Sequence, residues 1–224
     1  HDFIDDCYFG FTEGQDVIRM SYAASFGLDK WTYTEKKTLQ VKRWAQGYNA
    51  ISVREDAAIK LCHDYLGVDA KHVVDPTLLL TAEQYKKVLS RNDYIYDGEV
   101  LVYILDMNDK KKNIISEICR KMNKKPFYVG KPINGQLPSI QTWLAGFDKA
   151  EFVITDSFHG TVFSIIFKKQ FINIGNLFRG LSRISSLFNI FNIDNSHVIA
   201  EETSNIDIPM KIDYSKVHTI LQDK

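Results

Sequence analysis

The sequence carries no charge imbalance. Lys+Arg and Asp+Glu each total 28 in 224 residues, so no long-range field gathers nucleic acid or an anionic membrane, and any anion site has to be built locally. Cysteine is scarce. Cys7, Cys62 and Cys119 are odd in number, far apart and without a CxxC, which argues against a disulfide framework and against the common zinc and iron–sulfur sites. A reducing cytosol suits such a chain. No apolar run approaches the roughly 20 residues that span a bilayer, and no charged-then-apolar leader opens the sequence, so no transmembrane segment is expected. His63, His72, His197 and His218 form no pair at metal-ligand spacing, and neither metal nor cofactor is expected. Internal repeats and low-complexity tracts are lacking. The first residue is His1 rather than Met, as expected of a chain that begins inside a longer product or after a tag.

What is present is core material: 45% apolar and 12% aromatic residues, ample for a packed globular protein. Short β-branched or aromatic runs alternate with segments of helical period, the pattern of a parallel sheet with crossover helices. Strands are expected over 17–25, 50–54, 71–75, 99–105, 126–130, 152–155 and 171–175. Helices are expected over 34–48, 56–67, 109–123 and 139–150, where apolar residues recur three and four apart; Ile140, Trp143, Leu144 and Phe147 make one such face. The polar stretch "LSRNDYIYDGE", residues 89–99, interrupts the rhythm and reads as a linker. The expected fold is α/β with two Rossmann-like halves, over residues 1–90 and 91–224.

One interruption carries chemistry. In "VITDSFHGTVFSIIFKKQFINIGN", residues 153–176, a buried strand over 152–155 gives way to a small polar cluster before a crossover helix over 160–167. Asp156, Ser157, Phe158 and His159 therefore form a strand-to-helix junction at the carboxyl end of a parallel strand, where open α/β sheets bind ligands. Asp156 or Ser157 can cap the helix. Its free first-turn amides, with Gly160 allowing close approach, suit a phosphate, and His159 can give or take a proton near neutral pH. Ordinary caps and a packing histidine remain the alternative reading. Lys168 and Lys169, which follow the helix, read as solvated residues favoured by its C-terminal dipole.

Several segments resemble, in order, the polysaccharide pyruvyl transferase family: "MSYAASFG" (20–27), "AISVREDAAIKL" (50–61), "VVDPTLLLTAEQY" (73–85) and "SIQTWLAGFDKAEFV" running into "ITDSFHGTVFSIIFKKQFINI" (139–174). "LSRISSLFNIF" (181–191) is similar to the stretch that follows. The likeness covers about residues 15 to 195. It implies a two-domain fold like that of certain glycosyltransferases, and transfer of the pyruvyl group of phosphoenolpyruvate onto two sugar hydroxyls as a ketal. The acceptor would be a glycan or lipid-linked oligosaccharide. The location would be cytoplasmic, with the inner face of the membrane left open. The segment that the family places before "SYAASFG" is missing, so the first half, and with it part of the acceptor site, is expected to be incomplete.

Phosphoenolpyruvate carries a carboxylate and a phosphate, which call for cationic forks in a protein of zero net charge. Arg54, at the end of a strand before Glu55 and Asp56, and Arg183, in a Gly/Ser-rich turn after Gly180 and Ser182, are the candidates. An ion pair of Arg54 with Glu55 or Asp56, and a surface position for Arg183, are the alternatives. Asp75, before Pro76, either builds a turn or orients Arg54 or a sugar hydroxyl. Ser25 in "SYAASFG" either faces the cleft expected between the halves or reflects tight packing. In the implied reaction His159 protonates C3 of the donor, one hydroxyl attacks C2, phosphate leaves and a second hydroxyl closes the ketal. A nucleotide-sugar glycosyltransferase would share the architecture, although no Gly-rich loop with a ribose-binding acid is evident. An inactive binding protein of the same fold is the other alternative.

Overall fold

The computed structural model describes residues 3–89, 96–130, 137–175 and 181–222. Most of the expected linker, residues 90–95, lies outside them. The chain divides into two compact units. The first gathers residues up to Pro76 and, among the described residues, 181–187; the second holds the remainder from Thr77 onward.

In the first unit, α1 (Phe3–Cys7) precedes three parallel strands, β1 (Met20–Ala24), β2 (Ala50–Val53) and β3 (Lys71–His72), in that spatial order. Helix α2 (Glu35–Ala45) starts where the Thr34 hydroxyl accepts the Lys37 amide at 3.3 Å, and it buries Val41, Trp44 and Ala45. Helix α3 (Asp56–Leu61) runs on as a π turn, Cys62–Leu66. Val53, Ala58, Cys62 and Leu66 join α2's buried face in one core. All three strands are shorter than their sequence suggests, as are the strands expected over 99–105 and 126–130, which span Val100–Tyr103 and Pro126–Tyr128. The register of β1 slips between Ser21 and Ala24, with Ala23 at φ 52°, and β3 pairs with β2 only through Lys71 and His72, after which the Val73 amide makes one more bond, to the Val53 carbonyl at 2.9 Å, before the 3-10 turn Pro76–Leu79.

The second unit opens with α4 (Ala82–Lys86), which the periodicity did not reveal because its five residues are too few to show a face. A reciprocal Thr81–Gln84 capping box defines it. There follow β4 (Val100–Tyr103), α5 (Asp109–Met122), β5 (Pro126–Tyr128), α6 (Ile140–Lys149), β6 (Phe152–Thr155), α7 (Phe158–Ile166) and β7 (Gln170–Ile174). After them come α8 (Ser182–Phe191), β8 (Val198–Ile199) and α9 (Tyr214–Gln222). The five strands are all parallel, in the order β5-β4-β6-β7-β8. The structure is thus α/β with two parallel sheets flanked by helices, as the sequence leads one to expect.

Strand alternation assigns the two faces. Val100, Val102, Phe152, Ile154, Ile172 and Ile174 pack with Ile114, Ile115 and Ile118 of α5. Leu101, Val153 and Phe171 point the other way and are also fully buried. A Cβ on Gly146 of α6 would lie 3.5 Å from Leu101. Both faces are covered, as an all-parallel sheet requires. Aromatic edges fasten the helices together: Phe163 of α7 meets Tyr85 of α4 at 5.0 Å and Trp143 of α6 at 4.8 Å between ring centres.

The chain leaves β4 for β5 on one side and returns to β6 on the other. The strand order therefore reverses between β4 and β6, and their carboxyl ends form the switch point at which such sheets receive ligands.

Candidate active site

Strand β6 ends at Thr155 and α7 already begins at Phe158, two residues earlier than the sequence suggests. Ser157 is the cap: its hydroxyl accepts the Gly160 amide at 3.3 Å. The Thr155 hydroxyl donates to the Tyr103 carbonyl at 2.7 Å and accepts the Ser157 amide at 3.1 Å, tying the junction to the end of β4. Gly160 is needed for packing, since a Cβ there would sit 2.1 Å from Thr155 Oγ1. The close approach it permits is that of α7 to β6. Behind the first turn runs a buried polar chain. Asn173 donates to the Thr161 hydroxyl at 2.9 Å, Thr161 donates to the Ser157 carbonyl at 3.1 Å, and Ser164 donates to the Gly160 carbonyl at 2.8 Å. Every residue of α7 is buried except His159. Its imidazole stands edge-on to Phe158, 5.4 Å between centres, in the first turn at the mouth of the switch point.

Asp156 points inward. Its carboxylate accepts the Leu105 amide at 2.7 Å and the Asp106 amide at 3.2 Å, bridging from β6 to the loop after β4. It also accepts from the Lys111 ammonium at 2.7 Å, with the side chains 0% and 1% exposed. Lys111 further donates to the Asp106 carbonyl at 2.9 Å and pairs with Glu201 at 3.1 Å. Burial pulls the Lys111 ammonium's pKa down, but its hydrogen bonds to Asp156 and Glu201 outweigh that and the net direction is up. Glu201 is held below the usual carboxylate range, first by the Asn108 side chain and then, against its desolvation, by Lys111.

In the first unit an analogous arrangement closes the end of β1. Glu55 is fully buried, and its Oε1 accepts from the Ser25 hydroxyl at 3.0 Å, the Phe26 amide at 2.8 Å and the Gly27 amide at 3.2 Å. Gly27 sits at φ 77°, which suits glycine and turns its amide inward. The Ser25 hydroxyl also accepts the Gly27 amide at 3.1 Å, so it serves this turn. Oε2 of Glu55 has no hydrogen-bond partner among the described residues. Burial, with the Glu55 charge adding to it, pushes the Cys62 thiol up to about 11.

Arg54 pairs with Asp75 at 2.5 Å, with side chains 20% and 2% exposed, the orienting contact that the sequence offers for Asp75. Asp56 exchanges hydrogen bonds with Ser186 of α8: its amide donates to the Ser186 hydroxyl at 3.0 Å, and that hydroxyl donates to its carboxylate at 2.6 Å. Arg183 is the second residue of α8, half-buried, and not in a Gly/Ser-rich turn. Thus Ser25, Arg54, Asp75 and Arg183 belong to the first unit, and Asp156, Ser157, His159 and Gly160 to the second.

A family model for polysaccharide pyruvyl transferase matches residues 9–177. The chain belongs to that family. Comparison with curated proteins yields no match. The match ends before α8 and takes in both the "SVRED" segment at β2 and the Asp156–Gly160 junction of this pyruvyl transferase family member. No helix among the described residues is long and apolar enough to cross a membrane.

Three residues at these sites escaped the sequence reading. Lys111 stands on the apolar face of α5, three, four and seven residues ahead of Ile114, Ile115 and Ile118, and that misplaced charge was the available signal. Glu55, beside Arg54 and Asp56, carries no signal of its own in the sequence. Glu201 lies where no pattern marks it. Lys169, expected in solvent, is half-buried and donates to the Asp148 carbonyl at 2.9 Å, and burial lowers its pKa. His197 is buried with its ring nitrogens 2.8 and 3.1 Å from the Phe171 and Met210 carbonyls, a structural residue.

Proposed function

We propose that the protein transfers the pyruvyl group of phosphoenolpyruvate to two hydroxyls of a glycan acceptor as a ketal, with His159 as the general acid. The observation that carries this reading is the position of His159, the one exposed residue of α7, in the first turn beyond the β4/β6 switch point. Family membership supplies the reaction class.

The chemistry follows from the donor. His159 gives a proton to C3, turning the methylene into a methyl and leaving cationic character at C2. A sugar hydroxyl adds to C2 and returns its proton to His159, the C2–O bond to phosphate breaks, and a second hydroxyl adds at the same carbon, its proton passing to the departing phosphate, to complete the ketal. The first-turn amides of α7 suit an anionic oxygen. Arg54, aimed by Asp75, and Arg183 are the proposed ligands for the donor's anionic groups. Ser25 and Asp156, turned toward internal amides, hold backbone in place on this reading, and Ser157 and Gly160 shape the turn that presents His159.

Run in deuterated water with phosphoenolpyruvate and an array of lipid-linked or free oligosaccharides, the reaction should place one solvent deuterium in the pyruvyl methyl, read by mass spectrometry and proton NMR. A product retaining a vinyl group would mean enolpyruvyl transfer. A sugar added without consumption of phosphoenolpyruvate would mean glycosyl transfer. Either would defeat the proposal.

A further inference from the structure

The Lys111 ammonium is fully buried, and each of its three N–H groups has an acceptor: Asp156 Oδ2 at 2.7 Å, the Asp106 carbonyl at 2.9 Å and Glu201 Oε1 at 3.1 Å. Such a knot is weak evidence for stability, because withdrawing charges from water costs about what their attraction returns, and apolar side chains of similar volume often do as well. Its place suggests another use. Asp156 immediately precedes the cap Ser157 and stands three residues before His159. Its carboxylate also receives the amides of Leu105 and Asp106, from the far side of the switch point. The Thr155 hydroxyl makes a second tie, to the Tyr103 carbonyl. The turn that carries His159 is thereby referenced to the end of β4 twice, and Lys111 neutralises and orients one of the two ties.

We propose that Lys111 is a positioning residue for pyruvyl transfer: through Asp156 it sets where the first turn of α7, and so His159, stands against the carboxyl end of β4. This rests on the reading of His159 as the acid. The groups that face the ammonium are Asp156 from the β6 end, the Asp106 carbonyl from the loop after β4, and Glu201 from the segment after β8, itself held at 2.9 Å by Asn108. The alternative is a knot that serves folding alone, and two variants separate the two. Lys111→Met strands the Asp156 carboxylate. Lys111→Met with Asp156→Asn removes both charges of the buried pair, lifting that penalty while leaving the turn without its charged tie; Glu201, 23% exposed, then keeps Asn108 as its donor.

The test is histidine NMR on the full chain, followed by steady-state kinetics with phosphoenolpyruvate. In Lys111→Met the His159 titration midpoint should rise by about half a pH unit or more, because an uncompensated carboxylate favours the imidazolium. The other histidines should hold theirs. In the double variant the thermal midpoint should return toward the parent's, while kcat stays about tenfold or more below it and KM for phosphoenolpyruvate remains within about threefold, the pattern of lost orientation rather than lost binding. A His159 titration unmoved in Lys111→Met, or a double variant as fast as the parent, would overturn the proposal. If Lys111→Met is too unstable to titrate, the double variant decides alone, and His159 resonances at their parent positions would count against it. The NMR arm needs no turnover, so it answers even for a parent protein that fails to release phosphate from phosphoenolpyruvate, a result that would sink the pyruvyl-transfer reading instead.

Discussion

Lys111 Nζ lies 2.7 Å from the Asp156 carboxylate with neither side chain reaching solvent, one residue before the cap of the helix that carries His159. The same device appears in the first unit without a lysine, where Glu55 reaches from the end of β2 to the amides of Phe26 and Gly27 after β1. In both, an acid just past one parallel strand fills the amide cradle past its neighbour. Each fixes a strand-end loop, and each uses up amides that would otherwise be open to an anion.

His159→Ala should leave the fold intact and lower pyruvyl transfer by about 10²-fold or more, the usual scale for loss of a general acid. The side chain is exposed, so its removal opens no cavity. Circular dichroism and phosphate release check the two halves of the statement, and a variant as active as the parent rules His159 out.

Arg54→Ala should weaken phosphoenolpyruvate binding by about 2–3 kcal/mol if a charge-assisted contact is lost. It should also lower stability, because Asp75, whose side chain is 2% exposed, loses its cation. Asp75→Asn added to Arg54→Ala should recover stability but not binding. Calorimetric titration beside thermal melts separates the effects; unchanged affinity in Arg54→Ala and Arg183→Ala alike moves the donor's ligands elsewhere.

Gly160→Ala should cost about 1–3 kcal/mol, the range for overpacking, because the new methyl would meet Thr155 Oγ1 at 2.1 Å and Thr155 Cβ at 2.9 Å. Thr155→Ala in the same chain should restore only part of the loss, since Cβ stays. A denaturant midpoint unchanged by Gly160→Ala would show that α7 has room to shift.

Stability should fall in acid partly through Glu201. Its carboxyl binds a proton more weakly when folded than when unfolded, so its contribution is present above the ordinary value of 4.5 and fades as pH drops through the lower folded value. Lys111 has the opposite sign: raised when folded, it contributes below 10.5 and is lost only in strong alkali. Glu201→Gln should therefore flatten the fall in melting temperature below about pH 4.5 and leave the neutral region nearly parallel to the parent. An identical acid slope in both proteins excludes Glu201 as a contributor.

Local pattern determined the class of fold. The apolar runs at 100–103, 152–155 and 171–174 and the periodic face of α5 are written in neighbouring residues, because a strand buried on both sides and a helix buried on one must carry those repeats. Helix α8 is absent from the sequence expectations, which have a Gly/Ser-rich turn at Arg183. Ile184, Leu187, Phe188 and Phe191 keep a helical spacing and are buried, although their serine neighbours read as a turn. The short α4 and β8 were not legible, since five and two residues hold no period.

The junction at Asp156–Gly160 announced itself by composition, and so did the choice of His159. What each polar side chain there does was decided only by tertiary contacts. Whether Asp156 faces a ligand or a lysine 45 positions away, whether Arg54 reaches Asp75, 21 positions on, and whether Gly160 makes room for a substrate or for Thr155 depend on which strands lie side by side. Charges and hydroxyls interact over a few ångströms regardless of separation along the chain. Amino-acid order alone fixes neither the β4–β6 pairing nor the crossing of α5 beneath it, and those two relationships turn a run of three lysines into one buried ammonium beside the candidate acid's turn.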